Sequence, residues 1–347
     1  MSAATEIEPQ IAVAQTRFRA MGSRAHIIVT GGDIAMLDRA IDRVEQLESR
    51  WSRFRVESEV GRLNAANGEP CEVSPDTALL IERAVELWRL TGASVDPLVL
   101  GAVIEAGYDR SFETLGELRS RAAGPRSAEP WTMIACTDID IDRGGRGATG
   151  CGADPGTRVR LPRGATFDPG GIGKGLAADM IVGELISGGA LGACVNLGGD
   201  LRVEGIGPDG AAWDVAIDHP WIGSPMVVIH LRDGGIATSS TLKRTWSIAH
   251  EGRHHLIDPR TGSPSTTDLV QATVVAGQAW VAEGFAKAVL LRGSDRPFDM
   301  LPAGIGAIAV DRSGRVLVSD GFHRFVQHDD VIPDRLSPGS TDPEARS

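Results

Sequence analysis

Residues 167–179 read FDPGGIGKGLAAD, and the rest of the chain can be interpreted outward from this stretch. Apolar residues that favour an extended backbone lead into a run with four glycines, and apolar residues then recur at helical spacing as far as Gly188. The pattern predicts a strand end, a tight loop and the start of a helix. Glycines let a backbone approach a ligand closely, a helix N-terminus offers N–H groups, and Lys174 adds positive charge. This combination indicates a phosphate or pyrophosphate site, although a glycine-rich turn between packed elements would give the same pattern.

Two familiar phosphate-binding motifs do not fit the glycine loop (residues 170–175). A P-loop has a glycine five residues before its Gly-Lys pair and a Ser or Thr after the Lys, but here those positions hold Asp168 and Gly175. The dinucleotide fingerprint G-x-G-x-x-G is broken at Leu176. The loop is therefore a glycine cradle of another type, with the acid Asp168 at its entrance.

The composition limits the class of protein. The chain has 347 residues and a formal net charge of -11, with an isoelectric point near 5.2. This length predicts one large domain or two smaller ones with an ample core. Because nucleic-acid binding needs a basic face that neutralises phosphates, the acidic balance argues against a nucleic-acid partner.

The cysteines and the N-terminal residues indicate the cellular compartment of the protein. None of the four cysteines has the C-x-x-C spacing or a zinc-ligand spacing, which favours free thiols in a reducing compartment. Residues 1–15 are acidic and lack the apolar core of a secretion signal, and no stretch reaches the ~18 apolar residues of a membrane span. We therefore expect a cytoplasmic protein without a membrane span.

The order of the predicted elements favours an α+β fold. Helices are predicted at 33–50, at 75–91 and at 278–291, with a short helix capped by Ser58, and antiparallel-looking strands fill much of the rest. Strict alternation of strand and helix is missing, which argues against a doubly wound sheet.

The domain boundaries follow from composition. We expect a flexible leader at 1–15, one domain at 16–327 and a disordered tail at 328–347, which is rich in Asp, Pro and Ser. Within the domain, a polar surface excursion is expected at 119–131, and a strand pair is expected around 131–142. Residues 144–156 contain six glycines and indicate a flexible insert.

Six segments carry residues typical of a site. They are Asp96-Pro97, residues 171–175 of the glycine loop, residues 196–200 (NLGGD), residues 237–239 (ATS), residues 255–262 (HLIDPRTG) and the helix that contains Glu283. Each segment is weak alone, but together and in this order they resemble the FAD:protein FMN transferase family, the ApbE-like flavin transferases. The resemblance runs from about Thr16 to Val326, and the runs DPGGIGKG, NLGGD and IDPRTG carry it most specifically.

The resemblance implies a fold and a reaction. The implied fold is an α+β fold of the ApbE or T-fold type, with mixed sheets, packed helices and two lobes that flank a flavin cleft. The implied enzyme binds FAD and a Mg²⁺ ion. It moves the FMN half of FAD onto a Thr or Ser hydroxyl of a target protein and releases AMP.

The resemblance also implies roles for residues at matching positions. The implied flavin contacts are Met21, Phe54, Ser94, Val95, Asp96, Asp168, Lys174 and Ile257. The implied catalytic histidine is His255, which could take the proton of the acceptor hydroxyl. Asp258, three residues on, could serve instead or could orient the histidine. The implied metal ligands are the Gly171 carbonyl and the side chains at Glu283 and Lys287.

Some positions depart from the family pattern. Glu283 stands in place of the usual metal-ligand Asp, and Lys287 in place of a Thr or Ser, although a charged Lys cannot bind a metal. A Glu–Lys pair one helical turn apart is commonly a surface salt bridge worth ~0.3–0.5 kcal/mol. Alternatively, Lys287 could replace part of the metal's charge beside the pyrophosphate. Leu176 and Ser240 stand where the family has Tyr and often Gly.

Two other functions remain open from the sequence. A hydrolase would use water as the acceptor and would split FAD into FMN and AMP. A flavin-binding protein without catalysis would retain FAD, and Lys287 is the feature that favours this alternative.

Overall fold

The computed structural model describes residues 11–108, 134–143, 156–222, 224–242, 245–248, 251–254, 256–327 and 332–336. Its helices within these residues are α1 (Ile34–Trp51), α2 (Glu59–Ala65), α3 (Pro75–Leu90), α4 (Leu100–Glu105), α5 (Gly173–Ser187) and α6 (Ala279–Arg292). None of these helices is long and apolar enough to cross a membrane.

The described strands are mostly antiparallel neighbours along the chain. They are β1 (Val13–Ala20), β2 (Ser23–Thr30), β3 (Cys71–Glu72), β4 (Asp140–Asp142), β5 (Arg158–Arg160), β6 (Gly192–Leu197), β7 (Asp200–Gly205), β8 (Trp213–Asp218), β9 (Pro225–Leu231), β10 (Asp233–Ser240), β11 (Thr245–Ile248), β12 (Glu251–His254), β13 (Ile257–Asp258), β14 (Ser263–Pro264), β15 (Leu269–Ala276), β16 (Gly306–Asp311) and β17 (Val316–Val318). Together with the helices they form the α+β fold expected from the sequence.

One eight-stranded antiparallel sheet organises the molecule, in the order β1-β2-β6-β7-β10-β15-β16-β17. Because side chains alternate along a strand, each central strand sends apolar residues to both faces. Val195 in β6 packs in a core with α1 and α5, whereas its neighbour Cys194 packs in a second core with the β8–β9 hairpin. Helix α5 lies on β6 and β7, and α6 lies beside it on β10 and β15. The sheet is therefore covered by helices on one face and by a hairpin on the other.

The helix ends predicted from local sequence signals are confirmed. The Asp33 side chain accepts a hydrogen bond from the Met36 N–H at 3.0 Å and caps α1. The Ser58 hydroxyl accepts one from the Gly61 N–H at 2.8 Å and caps α2. Such caps satisfy N–H groups that have no partner within the helix, so they can be predicted without tertiary information.

The prediction of a strand immediately before the glycine loop is wrong. Residues 165–168 belong to no strand, and a single 3-10 turn at Pro169–Gly171 leads into α5. The Asn64 side chain takes the place of a strand partner for Phe167. It accepts from the Phe167 N–H at 2.6 Å and donates to the Phe167 carbonyl at 3.0 Å. An apolar extended segment is thus held by one side chain rather than by a sheet.

Several sequence expectations fall partly or wholly outside the described residues. These are the first ten residues of the leader, the excursion at 119–131, residues 131–133 of the strand pair, and the insert from 144 to 155. Residues 13–15 of the expected leader belong to β1. Within the expected tail, the described Leu336 is buried against Val270 and Val310.

Gly175 allows α5 to approach the start of α6. A Cβ at this position would lie 2.5 Å from the Ala279 carbonyl oxygen, which is backbone and cannot turn aside. We predict that Gly175→Ala lowers the free energy of unfolding by about 1–3 kcal/mol, as overpacking does elsewhere. Urea unfolding followed by circular dichroism measures this change.

Gly183 on the same helix supplies the control. A Cβ there meets nothing within 4 Å, so Gly183→Ala should raise helix stability by about 0.5–1 kcal/mol. Equal effects of the two substitutions would contradict the packing role of Gly175.

Candidate functional site

A cavity of about 890 Å³ opens between the β1–β2 turn, the end of α1, the segment at 94–97, the glycine loop and residues 256–259. Its volume falls in the range of small-molecule sites, roughly 300–1,000 Å³. Ten residues named from the sequence line it: Met21, Phe54, Ser94, Val95, Asp96, Asp168, Gly171, Lys174, Ile257 and Lys287. Asp258 and Glu283 do not line it, and His255 lies outside the described residues. The fold thus gathers residues from across the chain, and their roles toward a ligand stay predictions.

Met21 lies in the turn between β1 and β2 in an unusual backbone conformation. Its φ of 50° and the φ of 64° at Gly22 are both left-handed, as a two-residue hairpin turn requires. The Met21 N–H donates to Glu48 Oε2 at 2.9 Å, which holds the turn against α1. This hydrogen bond fixes one wall of the cavity.

Asp168 shapes the entrance of the glycine loop. Its carboxylate accepts from the Gly170 N–H at 2.9 Å, and its own N–H donates to the Pro97 carbonyl at 2.7 Å. The Arg53 guanidinium lies 3.6 Å from the same carboxylate. Asp168 therefore connects the glycine loop with the segment around Pro97 and with Arg53.

An aromatic pair and a cation form another wall. The Phe54 and Tyr108 rings meet edge to face with centroids 5.9 Å apart. The Arg53 guanidinium lies 4.4 Å from the Phe54 centroid and 4.6 Å from the Tyr108 centroid. Sequence reasoning missed Arg53 and Tyr108 as site residues. A usable signal was present, since Arg53 precedes a predicted flavin contact and Tyr108 is the only tyrosine in the chain.

The charge cluster (Lys174, Asp200, Glu283 and Lys287) lies beside the glycine loop. Lys174 pairs with Asp200, and its Nζ also lies 3.7 Å from Glu283 Oε1. Lys287 Nζ donates to that same oxygen at 3.0 Å, while the Gly175 N–H donates to Glu283 Oε2 at 2.8 Å. Asp200 is a buried partner of Lys174.

Glu283 is buried, so the interpretation of the Glu283–Lys287 pair as a surface salt bridge is wrong. Its side chain is 1% exposed, and that of Lys287 is 13% exposed. Burial alone raises the pKa of this carboxyl, but Lys287, Lys174 and the Gly175 N–H outweigh burial and lower its pKa. Glu283 is therefore an ionised, fully enclosed carboxylate.

These residues do not fit a divalent cation well. Mg²⁺ commonly binds through one or two carboxylates together with waters and phosphate oxygens, but a protonated lysine has no lone pair to offer and repels a cation. Both Glu283 oxygens already accept hydrogen bonds, one of them from Lys287. Among the described residues, no group of three or more His, Cys, Asp or Glu side chains is arranged to hold a metal ion. The metal site at Gly171, Glu283 and Lys287 therefore stays a prediction, and the chemistry of these side chains argues against it.

Asp96 and Asp258 lie in contrasting environments. Burial raises the pKa of Asp96, which accepts from the Leu98 N–H at 2.8 Å. The Cys136 thiol lies 3.4 Å from the same oxygen, and burial raises the pKa of this thiol strongly. Asp258 has a lowered pKa because Arg260 pairs with it at 2.8 Å. A carboxylate of lowered pKa is a weak proton acceptor, which disfavours Asp258 as the base.

Asp179, at the end of the opening stretch, fixes the start of α6. Its carboxylate accepts from the Ala279 and Trp280 N–H groups at 2.8 and 2.9 Å, and the Arg202 Nε lies 3.2 Å away. Burial raises the pKa of Asp179 to about 6 despite these three partners. By holding the N-terminus of α6 on α5, Asp179 positions Glu283 one turn later. Sequence reasoning missed this role because it depends on a contact 100 residues away.

Comparisons with known proteins agree with this architecture. A family model described as the ApbE family matches residues 21–309. The FAD:protein FMN transferase of Vibrio cholerae is 27% identical over 268 residues, which are 76% of this chain and 75% of that protein. The FAD:protein FMN transferase of Treponema pallidum is 28% identical over 305 residues, which are 83% of this chain and 80% of that protein. The ApbE protein of Thermotoga maritima has a similar fold, with a TM-score of 0.78, 24% identity and coverage of 91% of this chain and 100% of that one.

Proposed function

Because this chain belongs to the ApbE family, we propose that it transfers the FMN moiety of FAD to a Thr or Ser hydroxyl of a target protein and releases AMP. The observation that carries the proposal is the cavity itself, which is lined by the glycine loop, by two lysines and by the Phe54–Tyr108 aromatic pair. Such a surface offers an aromatic wall for a flat ring and cations for a pyrophosphate. The names of the Vibrio and Treponema relatives support the same reaction.

The proposed step is a displacement at phosphorus. The acceptor oxygen forms a bond to the phosphorus of the FMN half, and the bond from that phosphorus to the bridging oxygen breaks. The electron pair leaves on the AMP oxygen, and His255 takes the proton of the acceptor hydroxyl. Negative charge grows on the phosphoryl oxygens, and we expect Lys174, Lys287 and N–H groups of the loop, all at the cavity, to stabilise it. The resemblance also suggested Mg²⁺, but no part of this step is assigned to a metal.

Mass spectrometry tests the proposal. The purified protein is incubated with FAD and the acceptor domain of a flavoprotein from the same organism, with and without Mg²⁺. We expect the acceptor domain to gain the mass of FMN less one water, together with release of AMP. An acceptor domain whose hydroxyl residue is replaced by Val or Ala is the matched control and should gain nothing.

Other outcomes would support the rival functions. Release of AMP without an adduct and without need of a target would show an FAD hydrolase. Retention of FAD with no product under any metal condition would show a flavin-binding protein. The cytoplasmic location expected from the sequence remains a prediction.

Asp168 allows a test of how the glycine loop holds FAD. We predict that Asp168→Ala weakens FAD binding about tenfold, because the Gly170 N–H loses its acceptor and the loop loses its shape. Asp168→Asn keeps an acceptor for the Gly170 N–H and should bind FAD within about threefold of the wild type. Quenching of flavin fluorescence measures both affinities. Equal losses in the two variants would assign the effect to charge rather than to loop shape.

A further inference from the structure

The lysines of this chain are few and unevenly placed. Only three of its 35 lysine and arginine residues are lysines. Two of the three, Lys174 and Lys287, lie at the same oxygen of Glu283. Arginine supplies the positive charge nearly everywhere else. The use of lysine at these two positions therefore indicates that an ammonium group is needed there.

Glu283 directs both ammonium groups toward the cavity. The carboxylate is buried and does not reach the cavity, but Lys174 and Lys287 both line the cavity, as do Gly171 and Gly173. The other Glu283 oxygen is held by the Gly175 N–H. Glu283 thus holds both compact cations at one edge of the glycine loop, and Asp200 also pairs with Lys174.

An ammonium group suits this position better than a guanidinium would. It is a compact point charge with three rotatable donors, whereas a guanidinium is a broad planar fork. Lys287 can keep one donor on Glu283 and direct another at a phosphoryl oxygen. It carries one positive charge where a divalent ion would bring two, and it needs no oxygen ligands from the protein.

On the basis of the proposed function, we propose that Lys287 takes the place of the divalent cation, so that the pyrophosphate of FAD is bound at this site without a metal ion. Lys174 and Lys287, fixed by Glu283, hold the phosphoryl oxygens on one side, and the glycine loop holds them on the other. The side chains at this site then fit Mg²⁺ poorly because the site does not use a metal ion.

Binding measurements test this inference without relying on catalysis. FAD affinity of the wild type is measured by flavin fluorescence in EDTA and in Mg²⁺, and binding of Mn²⁺ is followed by electron paramagnetic resonance in the presence of FAD. We expect equal affinities in the two buffers and no bound Mn²⁺. Lys287→Thr should bind FAD about tenfold more weakly in EDTA, since a charged hydrogen bond is lost. Mg²⁺ should restore most of that loss, and Mn²⁺ should now bind.

Arg292 provides the matched control. It lies on the same helix as Lys287, is half exposed, and does not line the cavity. Arg292→Thr removes the same charge and should change neither FAD affinity nor Mn²⁺ binding. Wild-type binding that fails in EDTA but succeeds in Mg²⁺, or wild-type binding of Mn²⁺, would overturn the inference alone. Absence of FAD binding in both buffers would overturn the proposed function as well.

Discussion

Replacing His255 by alanine will lower the rate of FMN transfer by about 10²–10⁴-fold, the usual contribution of a general base, while FAD affinity changes by less than about twofold. The acceptor hydroxyl must lose its proton as the new bond to phosphorus forms, and a neutral imidazole is the side chain best suited to accept it near neutral pH. The next residue, Leu256, lines the cavity. His255 itself lies outside the described residues, so the prediction rests on the family resemblance and on this chemistry.

Single-turnover kinetics with saturating FAD and acceptor domain measure the transfer step, and fluorescence quenching measures FAD affinity separately. His323→Ala is the control because His323 is exposed and does not line the cavity. It should leave both quantities unchanged. Normal transfer by the His255 variant would remove His255 from the mechanism and would assign proton transfer to Asp258, despite its pairing with Arg260.

The sequence predicts what local signals determine. Asp33 and Ser58 mark helix starts because a cap and its N–H partner lie within three residues of each other. The motif order along the chain also predicts which segments meet, and ten of the named residues do line one cavity. What sequence reasoning missed depends on contacts between distant segments.

The strand expected before the glycine loop shows why. An apolar extended run normally indicates a strand, but the Asn64 side chain, 103 residues away, satisfies the Phe167 backbone instead. Similarly, an i, i+4 Glu–Lys pair looks like a surface pair until α5 covers it. The Gly175 N–H that reaches Glu283 comes from 108 residues earlier in the chain, and no local pattern reveals that contact.

The second large effect concerns Glu283. We expect Glu283→Gln to lower the free energy of unfolding by about 3–5 kcal/mol, the usual result of removing one partner from a buried ion pair. Gln has nearly the same shape and can still accept from the Gly175 N–H. The loss is therefore electrostatic, because Lys287, only 13% exposed, would lose its carboxylate partner beside a second ammonium group, whereas Lys174 keeps Asp200.

A double substitution separates this effect from a general disturbance of the fold. In Glu283→Gln with Lys287→Met, one cation leaves with the carboxylate, and Lys174 keeps its pairing with Asp200. Stability should then recover by at least about half, since removing both partners of a buried pair costs less than removing one. Urea unfolding at neutral pH, followed by circular dichroism, measures all three variants. A loss below about 1 kcal/mol in the single Gln variant would be the behaviour of a solvent-screened surface pair, and the buried cluster would then have no part in holding α6 on α5.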